Sequence, residues 1–222
     1  MKKVIFLCCF LACITSAKKV QAQIMLDSLN AVSVTLTPTS IFNYYSRIQA
    51  GLEIGLNKIG FLEFEGAFLL RDRGSLNEDV RNGNAFAFSY KLPFDNAFLD
   101  RFIISLHYRK TYLELMAQFE RMDGLFNQVI TYNQERIMIG PTIGIATTHL
   151  LESWVQVEFA ARLGVGFISS RNEGIPEDAR RLQEFSLFNN RSRLDDGDFR
   201  SPILGGSVKF KFGKVNYRIK KF

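Results

Sequence analysis

The stretch W-V-Q-V-E-F-A-A-R-L-G-V-G-F-I, Trp154 to Ile168, decides the fold. In steps of two, Val155, Val157, Phe159, Ala161, Leu163, Val165 and Phe167 fall on one side. Gln156, Glu158, Ala160, Arg162, Gly164 and Gly166 fall on the other. A β-strand points successive side chains to opposite faces, so the segment predicts one oily face and one polar or small face. Its length of about 15 residues exceeds the roughly 5–6 of a globular strand, and a bilayer-crossing strand needs roughly 9–11. The stretch therefore predicts a membrane-crossing strand.

Seven further segments repeat the pattern. Ala31–Thr37 sets Val32, Val34 and Leu36 against Ser33, Thr35 and Thr37. Arg47–Leu56 sets Ile48, Leu52 and Ile54 against Gln49, Gly51 and Glu53. Ile59–Leu70 places Glu63 and Glu65 opposite Leu62, Phe64 and Phe68. Asn84–Lys91, Arg101–Tyr112, Glu135–Thr147 and Pro202–Gly213 complete the set. Beyond Tyr112 the apolar positions change phase to Leu113, Leu115, Ala117 and Phe119, which predicts a bulge or break. Pro141 predicts a bulge or a locally unpaired site. Asn57-Lys58 and Asp123-Gly124 are turn signals. Residues 113–134 are expected to form a hairpin above the membrane, and 169–201 a long polar loop. Short connections alternate with longer ones, as in membrane barrels with short periplasmic turns and long extracellular loops.

The first 22 residues predict a secretory leader. Lys2-Lys3 precedes the apolar run Val4–Ile14, and Val20-Gln21-Ala22 offers a cleavage site before Gln23. Cys8, Cys9 and Cys13 all lie in this leader, so the exported chain is expected to carry no disulfide. The net charge of +6 falls by four when Lys2, Lys3, Lys18 and Lys19 are set aside, which removes any electrostatic case for nucleic acid. No later stretch has 18 consecutive apolar residues, so no transmembrane helix is expected.

Together these segments predict an all-β, eight-stranded antiparallel up-and-down transmembrane β-barrel over residues 23–213, with 214–222 as a tail or strand extension. The inner face would carry Glu53, Glu63, Glu65, Arg109, Glu158, Arg162, Lys209 and Lys211. Eight strands leave an interior just filled by side chains, so these charges are expected to pair as a structural network.

The leader ending Val20-Gln21-Ala22-Gln23, the strands "IQAGLEIGL" and "VQVEFAARLGVGF" and the ending "PILGGSVKFKFG" resemble small outer-membrane β-barrel proteins of Bacteroidetes, similar in architecture to the OmpA and OmpX type. The resemblance covers roughly residues 24–213. It implies an outer-membrane location, contact with outer-membrane lipid and a monomer. In members of this type an aromatic residue often closes the last strand. Phe212, with Phe210 and Val208, fits that pattern better than Phe222.

The chemistry read from the residues is sparse. Some barrels of this kind are lipid-modifying enzymes with a His–Ser–acid set, for which His107 is the candidate. Ser105, on the same face, is about 7 Å away along the strand. A lumen-packing His107 and a solvated His149 are expected. Two histidines and no cysteine offer no transition-metal site, and no cofactor is expected. Asp195, Asp196 and Asp198 form an acidic turn without EF-hand spacing. The expected role is non-enzymatic, with loops 113–134 and 169–201 available to extracellular partners. The competing expectation is a soluble, lipocalin-like barrel with the faces reversed, holding an apolar ligand.

Overall fold

The computed structural model describes residues 32–42, 46–56, 59–75, 78–93, 99–122, 124–152, 154–181 and 197–213. The strands are β1 (Val32–Leu36), β2 (Arg47–Gly55), β3 (Phe61–Leu69), β4 (Asp72–Ser75), β5 (Glu78–Pro93), β6 (Arg101–Arg121), β7 (Phe126–Glu152), β8 (Val155–Glu173), β9 (Arg180–Arg181) and β10 (Gly197–Phe212). A 3-10 turn, Pro38–Phe42, follows β1. The described residues contain no α-helix. Eight strands, all but β4 and β9, pair antiparallel in up-and-down order, and β10 pairs back onto β1 to close a ring. The leader, the tail, Asn57-Lys58, Asp123 and the acidic pair Asp195-Asp196 lie outside the described residues.

A row of paired residues followed around the ring from Leu204 runs through Leu163, Ile143, Ile104, Tyr90, Leu62, Ile54 and Val32. Because Val34 faces Phe212, the row returns to β10 beyond Phe212 instead of at Leu204. That offset is the shear of the ring, and it requires strongly tilted strands. Every side chain in the row lies on the outer face. Leu204 is 79% exposed, Leu163 58% and Ile143 50%. Phe64, Phe86 and Tyr108 stack across β3, β5 and β6 on the same face, with centroids 6.2 and 6.3 Å apart.

Two expectations at the upper end, where the long connections lie, are corrected. β6 is unbroken and pairs with β7 without a register change from Arg101–Ala146 to Arg121–Phe126. Ile103, Thr111, Leu113, Leu115 and Phe119 are all buried on one inner face. The phase does not slip at Tyr112. What changes is the chemistry of each face, since the interior turns from polar to apolar while the outer face turns to Lys110, Glu114, Gln118 and Glu120. The bulge belongs to the neighbouring strand, where Val80 pairs Leu113 and Asn82 pairs Tyr112, leaving Arg81 extra. The second correction concerns 169–201, expected as one long loop, where β8 extends to Glu173 and β10 begins at Gly197. The hairpin expected over 113–134 is present, with β6 and β7 running through it to a turn at Met122 (φ 49°) and Gly124 (φ 96°).

At Pro141 the β7–β8 ladder is interrupted between Ile139–Phe167 and Thr142–Gly164 without changing register. This is a locally unpaired site and not a bulge. The lower connection after β2 closes through Leu56 N–H donating to the Gly60 carbonyl at 2.7 Å. It is wider than the two-residue turn expected there.

Candidate functional site

The inner face is built by alternation. Residues Glu53 on β2, Glu63 and Glu65 on β3, Lys91 on β5, Arg101 on β6, Glu158 on β8 and Lys209 and Lys211 on β10 all point inward and are at most 3% exposed. An isolated buried charge is very costly, so such groups persist only when paired. Lys91 Nζ lies 2.6 Å from Glu53, 2.8 Å from Glu158 and 3.0 Å from Glu63. Arg101 donates to Glu53 at 2.9 Å and caps the lower end over the Phe61 ring, 4.1 Å from its centroid. Lys211 bridges Glu53 at 2.7 Å and Glu158 at 2.5 Å, and Lys209 bridges Glu63 and Glu65, both at 2.7 Å. The result is a knot of alternating charges that links six strands.

Seven residues of the expected network thus fall in one place: Glu53, Glu63, Glu65, Glu158, Arg162, Lys209 and Lys211. Arg162 reaches the rim of the knot, 3.7 Å from Glu63 and 3.8 Å from Glu65. Its stem fits because Gly144 faces it, and a Cβ there would lie 2.8 Å from Arg162 Cγ. Arg109 lies higher on the inner face, with Nη2 3.7 Å from Met138 Sδ. Lys91 and Arg101 were not singled out from sequence. Lys91 alternates with Ala87 and Ser89 and was available to that reasoning, whereas Arg101 stands at a strand end, where direction is ambiguous.

Above the knot, Glu65 also accepts from Gln49 Nε2 at 2.8 Å and from Thr37 Oγ1 at 3.2 Å. A small cavity follows, lined by Arg47, Gln49, Glu65, His107, Arg109 and Met138 among others. Higher still, Leu69, Val80, Leu113, Leu115, Phe119, Ile130 and Tyr132 form an apolar cluster, against which Ile175 and Ala179 pack.

His107 Nε2 lies 3.0 Å from Thr142 Oγ1, while Ser105 pairs with Ser89 at 2.8 Å. The His–Ser pair of a nucleophilic site is therefore not assembled. His149 packs edge-on against Phe159 on the outer face. Among the described residues no three acidic or histidine side chains gather as a metal-ligand set, and each carboxylate of the knot faces an ammonium or guanidinium. Comparison of the chain with family models, with curated proteins and with solved structures gives no match.

Proposed function

We propose that the chain is an exported outer-membrane β-barrel with a closed, charge-paired interior and a structural or surface-interaction role. One observation carries the reading. Every strand of the ring presents exposed apolar side chains outward, while Glu53, Glu63, Glu65, Lys91, Arg101, Glu158, Lys209 and Lys211 are packed inside at the same level. Soluble monomers rarely expose contiguous apolar patches beyond a few hundred Å², so a belt around the whole ring calls for a lipid solvent. The edges of the belt support this. Lys110 pairs Glu135 at 2.8 Å beside Tyr112 at the upper end, and Trp154 packs on Phe212 at the lower end. Amphipathic aromatic and charged groups suit the two membrane–water boundaries. The resemblance to small Bacteroidetes barrels points the same way.

On this reading the knot blocks conduction, and the β6–β7 hairpin with the connection after β8 faces extracellular partners. The lipocalin-like alternative needs Glu63, Glu158 and Arg162 in water and the isoleucines inside, opposite to their burial. The test is folding into detergent or lipid vesicles, read by a heat-modifiable gel shift and by membrane fractionation. A chain that folds to the same state with neither detergent nor lipid defeats the proposal.

A further inference from the structure

The cavity above the charge knot is walled by cations and small residues. Arg47 and Gln49 reach it from β2, Glu65 from β3, His107 and Arg109 from β6 and Met138 from β7. Between them Ala85 and Ala87 on β5 add only methyl groups, which leaves the space open. Its volume is about 30 Å³. One water needs about 10–15 Å³, so the space takes one or two water-sized species and no group of four or five heavy atoms.

The described carboxylates near this space are taken. In the knot below, Glu53, Glu63, Glu65 and Glu158 are matched by Lys91, Arg101, Lys209 and Lys211. Glu65 is the carboxylate in the cavity wall. It receives Lys209 at 2.7 Å, Gln49 Nε2 at 2.8 Å and Thr37 Oγ1 at 3.2 Å. Arg162, which is not part of the cavity wall, approaches it as well, at 3.8 Å. Arg47 is half-buried and spends its Nε on the Gln49 side-chain oxygen at 3.0 Å. Among the described residues its two Nη groups have no acceptor, and no carboxylate lies within 4 Å of them. On β6, Arg109 Nη2 lies 3.7 Å from Met138 Sδ, and His107 Nε2 lies 3.0 Å from Thr142 Oγ1. With the Thr142 hydroxyl donating to Nε2, the ring proton sits on Nδ1 as one more donor.

We propose that this cavity is a binding site for a monatomic anion, chloride in the first place, held by the Nη donors of Arg47 together with Arg109 and His107. A cation withdrawn from water is costly without a counter-charge, and hydrogen bonds between ionised partners are the strong ones. The volume selects a halide over a phosphate or a carboxylate. The inference depends on the inside of the ring and not on what surrounds it.

The test uses the full chain folded in a non-ionic detergent, with sodium chloride, sodium bromide and sodium gluconate as probes at equal ionic strength. Gluconate is too large for the space. Replacing gluconate by either halide, up to about tenfold above half-saturation, should raise the thermal unfolding midpoint by about 3–5 °C. Arg47→Gln should abolish the rise. Ala87→Leu should abolish it too, by filling the cavity without removing a charge, since Ala87 lies between Glu65 and His107 in register. Crystals of the unaltered chain grown in bromide should show one anomalous peak beside Arg47, which decides the matter if neither variant folds. A midpoint indifferent to halide, a wild-type rise in a folded variant, or bromide crystals with no peak at Arg47 overturns the proposal and leaves water in the cavity.

Discussion

Below Gln49 the interior is filled with charge, and above Thr111 it is filled mainly with hydrocarbon, around the buried amide of Gln134. The lower filling sits inside the belt of exposed apolar side chains. The upper filling sits where the outer face carries Glu114, Gln118 and Glu120. Each level therefore pairs unlike media across one strand. The difference teaches that polarity inversion along β6 is not a change in fold, since its register is unbroken; on the membrane reading it marks the level where the strand leaves lipid.

The largest effect should come from breaking the lower filling. Glu158→Ala strands Lys91, Lys211 and Arg101 around a missing carboxylate and should cost about 3–5 kcal/mol, the range for a buried pair that loses one partner. Urea unfolding in lipid vesicles measures it, and a cost below about 1 kcal/mol would show that water reaches the knot.

Next comes the upper filling, where volume should matter more than chemistry. Leu115→Ala should cost about 2–5 kcal/mol and Leu115→Met less than about 1.5. At Glu158 no volume-conserving apolar swap should be tolerated so well, because the cations stay behind. Equal tolerance at both positions, in the same unfolding assay, would erase the distinction between the two ends.

The outer faces sharpen the comparison. Leu163→Arg, within the belt, should cost about 2–4 kcal/mol, and Gln118→Arg, beside the apolar cap, should stay within about 0.5. Matching costs in vesicles would mean that both levels face the same solvent.

The smallest effect concerns the upper cover. Arg121 donates to both Asp178 oxygens, at 3.0 and 2.8 Å, which holds that carboxyl below its ordinary range. A lowered carboxylate contributes fully above the ordinary aspartate value of about 3.9 and loses that contribution as pH falls through the lowered one. Limited pepsin digestion should show the 174–181 segment slightly more open at the acid end of the range. Asp178→Asn should open it equally at all pH values tested. Wild type and variant behaving alike would remove the pair from any role in closing the cap.

The ring and its two faces were legible in the sequence because period-two alternation survives wherever the inside and outside media differ. Val155–Phe167 and Ile137–Ile145 needed nothing else. The apparent slip at Tyr112 misled for a physical reason, since a strand whose two faces exchange polarity without a change of register imitates a slip. The true bulge at Arg81 sits among polar residues, R-N-G-N, where alternation carries no signal. The acidic half of the knot was legible as inward carboxylates. Among its partners Lys209 and Lys211 were legible by the same alternation, and so was Lys91 beside Ala87 and Ser89, whereas Arg101 stands at a strand end, where alternation gives no direction. Val157 shows another limit. Alternation places it outward correctly, but His149 and Phe210 flank it in register and it is only 7% exposed.

The charge knot also has a history. Lys211 and Glu53 lie 158 positions apart, and Lys209 and Glu63 lie 146 apart. Contacts of such separation form late, after the loop-closing entropy has been met by other pairings. The knot needs the first and last strands side by side, so its charges stay hydrated until β1 and β10 meet. Ring closure and dehydration of the plug are then one event, and the final step of assembly expels water and locks the seam together.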